Sequence, residues 1–191
     1  MGNAPAGASS STAWCAGTEN WITSPWNTNV ALYSLGQMAR YTGTNVTLLR
    51  CPGDVVPSGN GFRLRSYSMN GQVGPSTANY NSGYQTYRKE SDIVCPTPAN
   101  LFVLCDEHPG SLNDGYLQGS LATPRFPDVP ASYLENGCGF SFADGHAEIH
   151  KWQGTTLLIP VVRGQTFSSI TTTSTDPDWL WFSSRSSCHI P

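Results

Sequence analysis

The chain predicts an α+β fold: a small antiparallel β-sheet of four or more short strands, one short helix and extensive loops. Three observations carry this. The run Leu101-Phe102-Val103-Leu104-Cys105 is continuously apolar and has the length of a buried strand. Two alternating runs flank Asp144-Gly145, a dipeptide that marks a tight hairpin turn. Asn29 to Arg40 alone shows partial helical spacing of its apolar residues, and the rest is dense in Gly, Ser, Thr, Asn and Pro.

Taken in order, residues 1–13 are small and polar and predict a disordered or extended N-terminus. Residues 14–191 predict a single globular domain, because the chain of 191 residues is long enough for one sizeable core but short for two. A short helix is expected at 29–41, with Asn27, Thr28 or Asn29 as its cap and Gly43 beyond its end. Residues 52–62 read as loop and Arg63 to Asn70 as a strand. Residues 71–86 read as a long loop, of the kind that is often functional. Pro96-Thr97-Pro98 is a turn, and Asn100 to Asp106 is the best candidate for a central strand. Residues 108–135 are mostly loop, with a short strand near Gly115 to Gln118. The hairpin fills 138–152. Leu157 to Val162 is expected as a short strand, at an edge because it holds Pro160. The aromatic tail Asp178-Trp179-Leu180-Trp181-Phe182 either packs on the core or forms a contact surface; as a strand it would put Trp179 and Trp181 on one face.

The hairpin is the most informative stretch. With Asp144-Gly145 at the two centres of a type I′ turn, Ala143 faces His146, Phe142 faces Ala147, Ser141 faces Glu148 and Phe140 faces Ile149. Phe140, Phe142, Ala147 and Ile149 then share a buried face. His146, Glu148, His150 and Trp152 share the other, opposite the small Ala143, Ser141 and Gly139, which makes a shallow, partly open polar surface.

Composition excludes several classes. Only 12% of residues are charged, the net charge is −3 and the two lysines are Lys89 and Lys151, so no basic stripe exists for nucleic acid. No apolar run approaches the ~20 residues that cross a bilayer. No signal-peptide core follows Met1. Six cysteines, Cys15, Cys51, Cys95, Cys105, Cys138 and Cys188, form no Cys-x-x-Cys pair. Scattered through a Gly- and Ser-rich chain, they read as at least one disulfide in an oxidising compartment rather than a thiolate metal site. Their pairing stays open; a bridge near a terminus would tie down a loose end.

Three constellations could carry chemistry. His146, Glu148 and His150 point one way on a strand and suit zinc, copper or iron, though their order matches no helical zinc motif and an exposed polar face explains them more simply. The acidic set Asp106, Glu107, Asp114, Asp144 and Glu148 could supply a general acid and base for glycosidic cleavage. Within it, Asp106 with Glu148 is the pair that neighbouring strands could bring together. The alternative is turn chemistry for Asp114-Gly115 and Asp144-Gly145. Third, Trp152, Trp179 and Trp181, with His146 and His150 beside them, could bind sugar rings, or simply fill a core. No nucleophile elbow and no Walker or Rossmann glycine pattern is present.

The stretch Phe142-Ala143-Asp144-Gly145-His146-Ala147-Glu148-Ile149-His150-Lys151-Trp152 also resembles the C-terminal signature of bacterial prepilin-like proteins, relatives of type II secretion pseudopilins. Cys51-Pro52-Gly53-Asp54, Arg65-Ser66-Tyr67-Ser68-Met69-Asn70, Lys89-Glu90-Ser91-Asp92-Ile93 and Asp106-Glu107-His108-Pro109-Gly110-Ser111-Leu112-Asn113-Asp114-Gly115 agree in the same order, over roughly residues 50–152. Two departures stand out: the family's usual His, nine residues before Asp-Gly, is Leu134 here, and the family's long apolar anchor helix has no counterpart in this sequence. The resemblance implies a small α+β head whose sheet packs against that helix, an exported protein whose export segment has been removed, and pilin-like subunits as partners. It also admits calcium, which related pseudopilins hold in a C-terminal loop; no other cofactor is implied. Two functions follow as expectations. The first is a head domain in secretion or pilus-like assembly, or in cell-surface binding. The second is a secreted polysaccharide hydrolase of β-glucanase type, using the carboxylates on the same scaffold.

Overall fold

The computed structural model describes residues 12–74 and 80–190. Two single-turn helices come first, α1 (Ala31–Ser34) and α2 (Ala39–Thr42). They are followed by strands β1 (Tyr67–Asn70), β2 (Phe102–Asp106), β3 (Tyr116–Leu117), β4 (Arg125–Phe126), β5 (Gly137–Phe142), β6 (Ala147–Lys151) and β7 (Ile170–Thr171). Helix α3 (Pro177–Ser186) closes the chain. The main sheet runs β3-β1-β2-β5-β6, and β4 pairs with β7 separately. The α+β class holds. The sheet is antiparallel except for β1 and β3, which pair in parallel.

The sheet separates two cores. At β2 a register shift lies between Phe102, opposite Phe142, and Leu104, opposite Ser141. It turns these two β2 side chains to opposite faces, as a bulge does. Phe102, Cys105, Cys138, Phe140 and Phe142 therefore pack on one side against Phe126, Leu157, Trp179 and Phe182. On the other side Met69 and Leu104 are covered by Trp14, Leu32, Tyr33 and Leu49. Among the described residues, none covers the half of this second face built by β5 and β6.

Several expectations are corrected. The aromatic tail is helix, not strand. Asp176 caps it, accepting the Asp178 and Trp179 N–H groups (2.8 and 3.2 Å), and Pro177 opens the first turn without an amide to waste. The helix expected at 29–41 breaks in two, because the Gln37 N–H bonds the Ala13 carbonyl (3.0 Å) instead of continuing the ladder. Gly36 permits that approach: a Cβ there would lie 2.3 Å from the Trp14 carbonyl oxygen. Leu157 to Val162 forms no strand; Leu157 is buried as an anchor and its neighbours turn around it. The loose N-terminus expected at 1–13 falls outside the described residues except for Thr12 and Ala13, and Ala13 is buried.

The hairpin forms, one step out of the expected phase. Cys138 faces His150, Gly139 faces Ile149, Phe140 faces Glu148 and Ser141 faces Ala147. The Gly145 N–H bonds the Phe142 carbonyl (3.0 Å), the Phe142 N–H bonds the His146 carbonyl (2.9 Å), and within the turn only Gly145 has positive φ, +95°. That is a three-residue loop: a type I turn followed by a left-handed glycine, rather than a type I′ turn. A single step exchanges the faces. Glu148 and His150 thus stand on the side of Phe140, whereas Ala147 and Ile149, expected in the core, are exposed on the other.

Candidate functional site

The uncovered half-face is a groove of about 520 Å³. Its floor is the sheet itself: Tyr67 of β1, Leu104 and Asp106 of β2, Gly139 and Ser141 of β5, Ala147 and Ile149 of β6. Trp14, Met38, Thr42, Leu48, Leu49, Cys51 and Leu134 wall it. Strand alternation explains the shape. Gly139 and Ser141 are the small residues of β5, set between core-facing Cys138, Phe140 and Phe142, so they hollow the floor. Leu48 (59% exposed) and Ile149 (57% exposed) leave large apolar surface in contact with water at its rim. An apolar concavity with a few convergent polar groups is what a binding surface needs.

One of those polar groups is Asp106. Its carboxylate lies over Gly139, whose N–H donates to Oδ2 (3.1 Å), and the Tyr133 hydroxyl reaches Oδ1 at 3.4 Å. The Cys51 thiol also bonds it. No cation pairs with Asp106 among the described residues. Burial pushes its carboxyl up to about 6, against the lowering effect of these hydrogen bonds. Burial likewise raises the Cys51 thiol to about 11, so it is held as a neutral donor.

The other expected site residues are dispersed. Glu107, next along the chain, points away from Asp106: it accepts hydrogen bonds from Ser68 and Ser111 (3.0 Å for the latter) and is fully buried. Burial raises its carboxyl well above the usual range. Asp114 accepts the Tyr116 N–H (2.9 Å), a turn-forming bond. Asp144 accepts the His146 N–H (3.1 Å) and its Nδ1 (2.6 Å) in the hairpin turn. Glu148 reaches the groove rim, but its register position puts its side chain on the opposite face from Asp106, so the sheet does not bring that pair together.

The aromatic set is engaged in packing and stacking contacts. Trp152 and Trp179 are buried, and their indole N–H groups bond the Ala131 and Ser120 carbonyls (2.8 and 2.9 Å). Trp181 is stacked with His150 (centroids 3.7 Å apart) and lies under the Arg185 guanidinium (4.5 Å). His146 stacks on Phe142 (4.3 Å). His146, Glu148 and His150 share one face, yet both imidazoles are engaged by aromatic rings. Among the described residues no group of three or more His, Cys, Asp or Glu is placed to hold a metal ion.

The groove residues that sequence reasoning missed are mainly apolar: Met38, Leu48, Leu104, Leu134 and Ile149. Leu134 carried a signal. It stands where the resembled family has His, and its Cδ1 lies 3.7 Å from where a Gly139 Cβ would be, lining the groove with hydrocarbon beside Asp106.

Cys95 and Cys188 are joined in a disulfide across 93 positions, while Cys15, Cys51, Cys105 and Cys138 are buried thiols. No helix among the described residues is long and apolar enough to cross a membrane. Comparison with known proteins found no matching family model, no matching curated protein and no matching solved structure.

Proposed function

We propose that this chain is the head of an exported prepilin-like subunit, and that the groove receives an apolar helix during secretion or pilus-like assembly. The observation that carries the reading is the asymmetry of the sheet. One face is sealed by α3 and its aromatic cluster; the other leaves Leu48, Leu104, Leu134 and Ile149 around an open trough. Four strands at ~4.8 Å spacing match a helix of about 10 residues laid across them. The ordered motifs over residues 50–152 point to the same family, and the Cys95–Cys188 disulfide suits an oxidising compartment.

Polysaccharide hydrolysis draws less support. It needs two carboxyls within ~5–9.5 Å on one side of a cleft, and Glu148 projects from the other face of the sheet than Asp106. The tryptophans proposed to hold sugar are engaged in packing.

The test is fluorescence anisotropy of a labelled leucine- and alanine-rich helical peptide titrated with the protein. Saturable binding is expected, and Ser141→Trp, which fills the floor, should reduce it at least tenfold. Absence of binding to the unmodified protein, or equal binding by the filled variant, would overturn the reading.

A further inference from the structure

Among the described residues, the outer edge of β6 has no strand paired to it, and its groups are laid out for pairing with themselves. Because Phe142 and His146 form the hydrogen-bonded pair that closes the hairpin, Phe140–Glu148 and Cys138–His150 are hydrogen-bonded pairs too. The N–H and C=O groups of Ala147, Ile149 and Lys151 therefore point away from β5. Among the described residues β6 pairs with β5 alone in the main sheet. The edge is five residues long and contains no proline or bulge, two of the usual guards against edge association. Its lysine, another usual guard, is tied back: Lys151 Nζ bonds Glu135 Oε2 (2.8 Å) and the Glu135 carbonyl (3.1 Å).

We propose that β6 pairs antiparallel with β6 of a second copy of this chain, about a two-fold axis through Ile149. This register satisfies the outward backbone groups of both copies: Ile149 pairs with Ile149 of the second copy, and Ala147 with Lys151 of the second copy, twice. Each is a hydrogen-bonded pair. The side chains agree. On the groove side the two exposed Ile149 side chains meet and remove apolar surface from water. On the other side Glu148 falls opposite His150 of the second copy, twice, in the closer non-hydrogen-bonded geometry. No like charges stand opposite one another. The alternative registers that keep the same backbone parity, centred on Glu148 or His150 with the strand shifted by two, leave outward groups of one end unpaired. The product is a continuous ten-stranded sheet with both grooves on the same side. It goes beyond the helix-receiving reading and does not depend on it, since the pairing lies along the edge and shares with the groove only the rim residue Ile149.

The experiment is sedimentation equilibrium over a concentration range from low micromolar to about 1 mM. The unmodified chain should shift from monomer to dimer. Ile149→Pro removes one outward N–H and no bond to β5, so it should remain monomeric with an unchanged circular dichroism spectrum. A second measurement covers failure of that variant to fold: Glu148→Cys and His150→Cys proteins, mixed under mild oxidation, should give a disulfide-linked heterodimer faster than either protein alone gives a homodimer. A monomer throughout the range, a dimer that persists in folded Ile149→Pro, or cross-linking with no preference for the mixture would each overturn the proposal.

Discussion

The Asp106 carboxylate occupies the place of a side chain that Gly139 does not have. Oδ2 accepts the Gly139 N–H at 3.1 Å and would lie 2.8 Å from a Cβ built on that residue. Gly139→Ala must therefore displace a buried carboxyl and break its bond to the strand. A loss of about 1–3 kcal/mol is expected in urea unfolding. Gly145→Ala is the control: φ there is +95° but nothing lies within 4 Å of the added methyl, so only backbone strain of about 1 kcal/mol should appear. Equal stability of Gly139→Ala and the unmodified chain would show that the contact carries nothing.

Burial raises the carboxyls of Asp106 to about 6 and Glu19 to about 7. Unfolded, both would titrate near pH 4. Between those limits the folded chain holds protons that the unfolded chain has released, so stability is fully present below about pH 4 and lost as pH rises through 6 to 7. Asp106→Asn keeps the shape and removes the Asp106 titration. Its unfolding free energy should fall less between pH 4 and pH 8, by about 2–3 kcal/mol. Unfolding curves at pH 4, 6 and 8 measure this; identical pH slopes for the two proteins would refute it.

Helix α3 seals one face of the sheet through Phe182, which touches the rings of Phe102 and Phe126 with centroids at 5.2 and 5.7 Å. Phe182→Ala should cost about 3–5 kcal/mol. Asp176→Ala removes the helix cap and also the acceptor for Thr156 Oγ1 (2.9 Å) and Thr172 Oγ1, and should cost about 1–2 kcal/mol. Thermal unfolding followed by near-ultraviolet circular dichroism reports both. An Asp176→Ala loss larger than that of Phe182→Ala would reverse the ranking.

The Cys95–Cys188 bridge closes a span of 93 positions. Loss of a loop constraint of that length should destabilise by about 4 kcal/mol. Cys95→Ser, Cys188→Ser and the double variant should lose the same amount, because each removes the same bond. Urea midpoints for the three proteins decide it, and additive losses would mean that the single thiols had formed other contacts.

How much was legible in the sequence depended on whether one local rule decided the outcome. The run from Leu101 to Cys105 could only be a central strand, and the Asp144-Gly145 reversal was equally plain. Its phase was not. Asp-Gly serves both a two-residue type I′ turn and a three-residue turn ending in left-handed glycine, and the choice moves every opposing side chain by one place. The partner of Phe140 thus changed from Ile149 to Glu148, and with it the side on which a site could lie. For α3 the local signal is Asp176-Pro177, a cap followed by an N1 proline, and it outranks the alternation of Trp179 and Trp181. The break at Gly36 was invisible locally, since it depends on Trp14, a residue more than twenty positions away in the chain. The groove was hidden for a similar reason, because it is made of what four distant segments fail to cover.

The bridge at Cys188 has a consequence for damage as well as for stability. It anchors the end of α3 to the chain just ahead of the middle strand, so a backbone cut in the 153–175 connection would yield two fragments that stay attached. Such a nicked molecule would migrate as one species in denaturing electrophoresis until a reductant was added, and its aromatic lid would remain in place to shield the sheet.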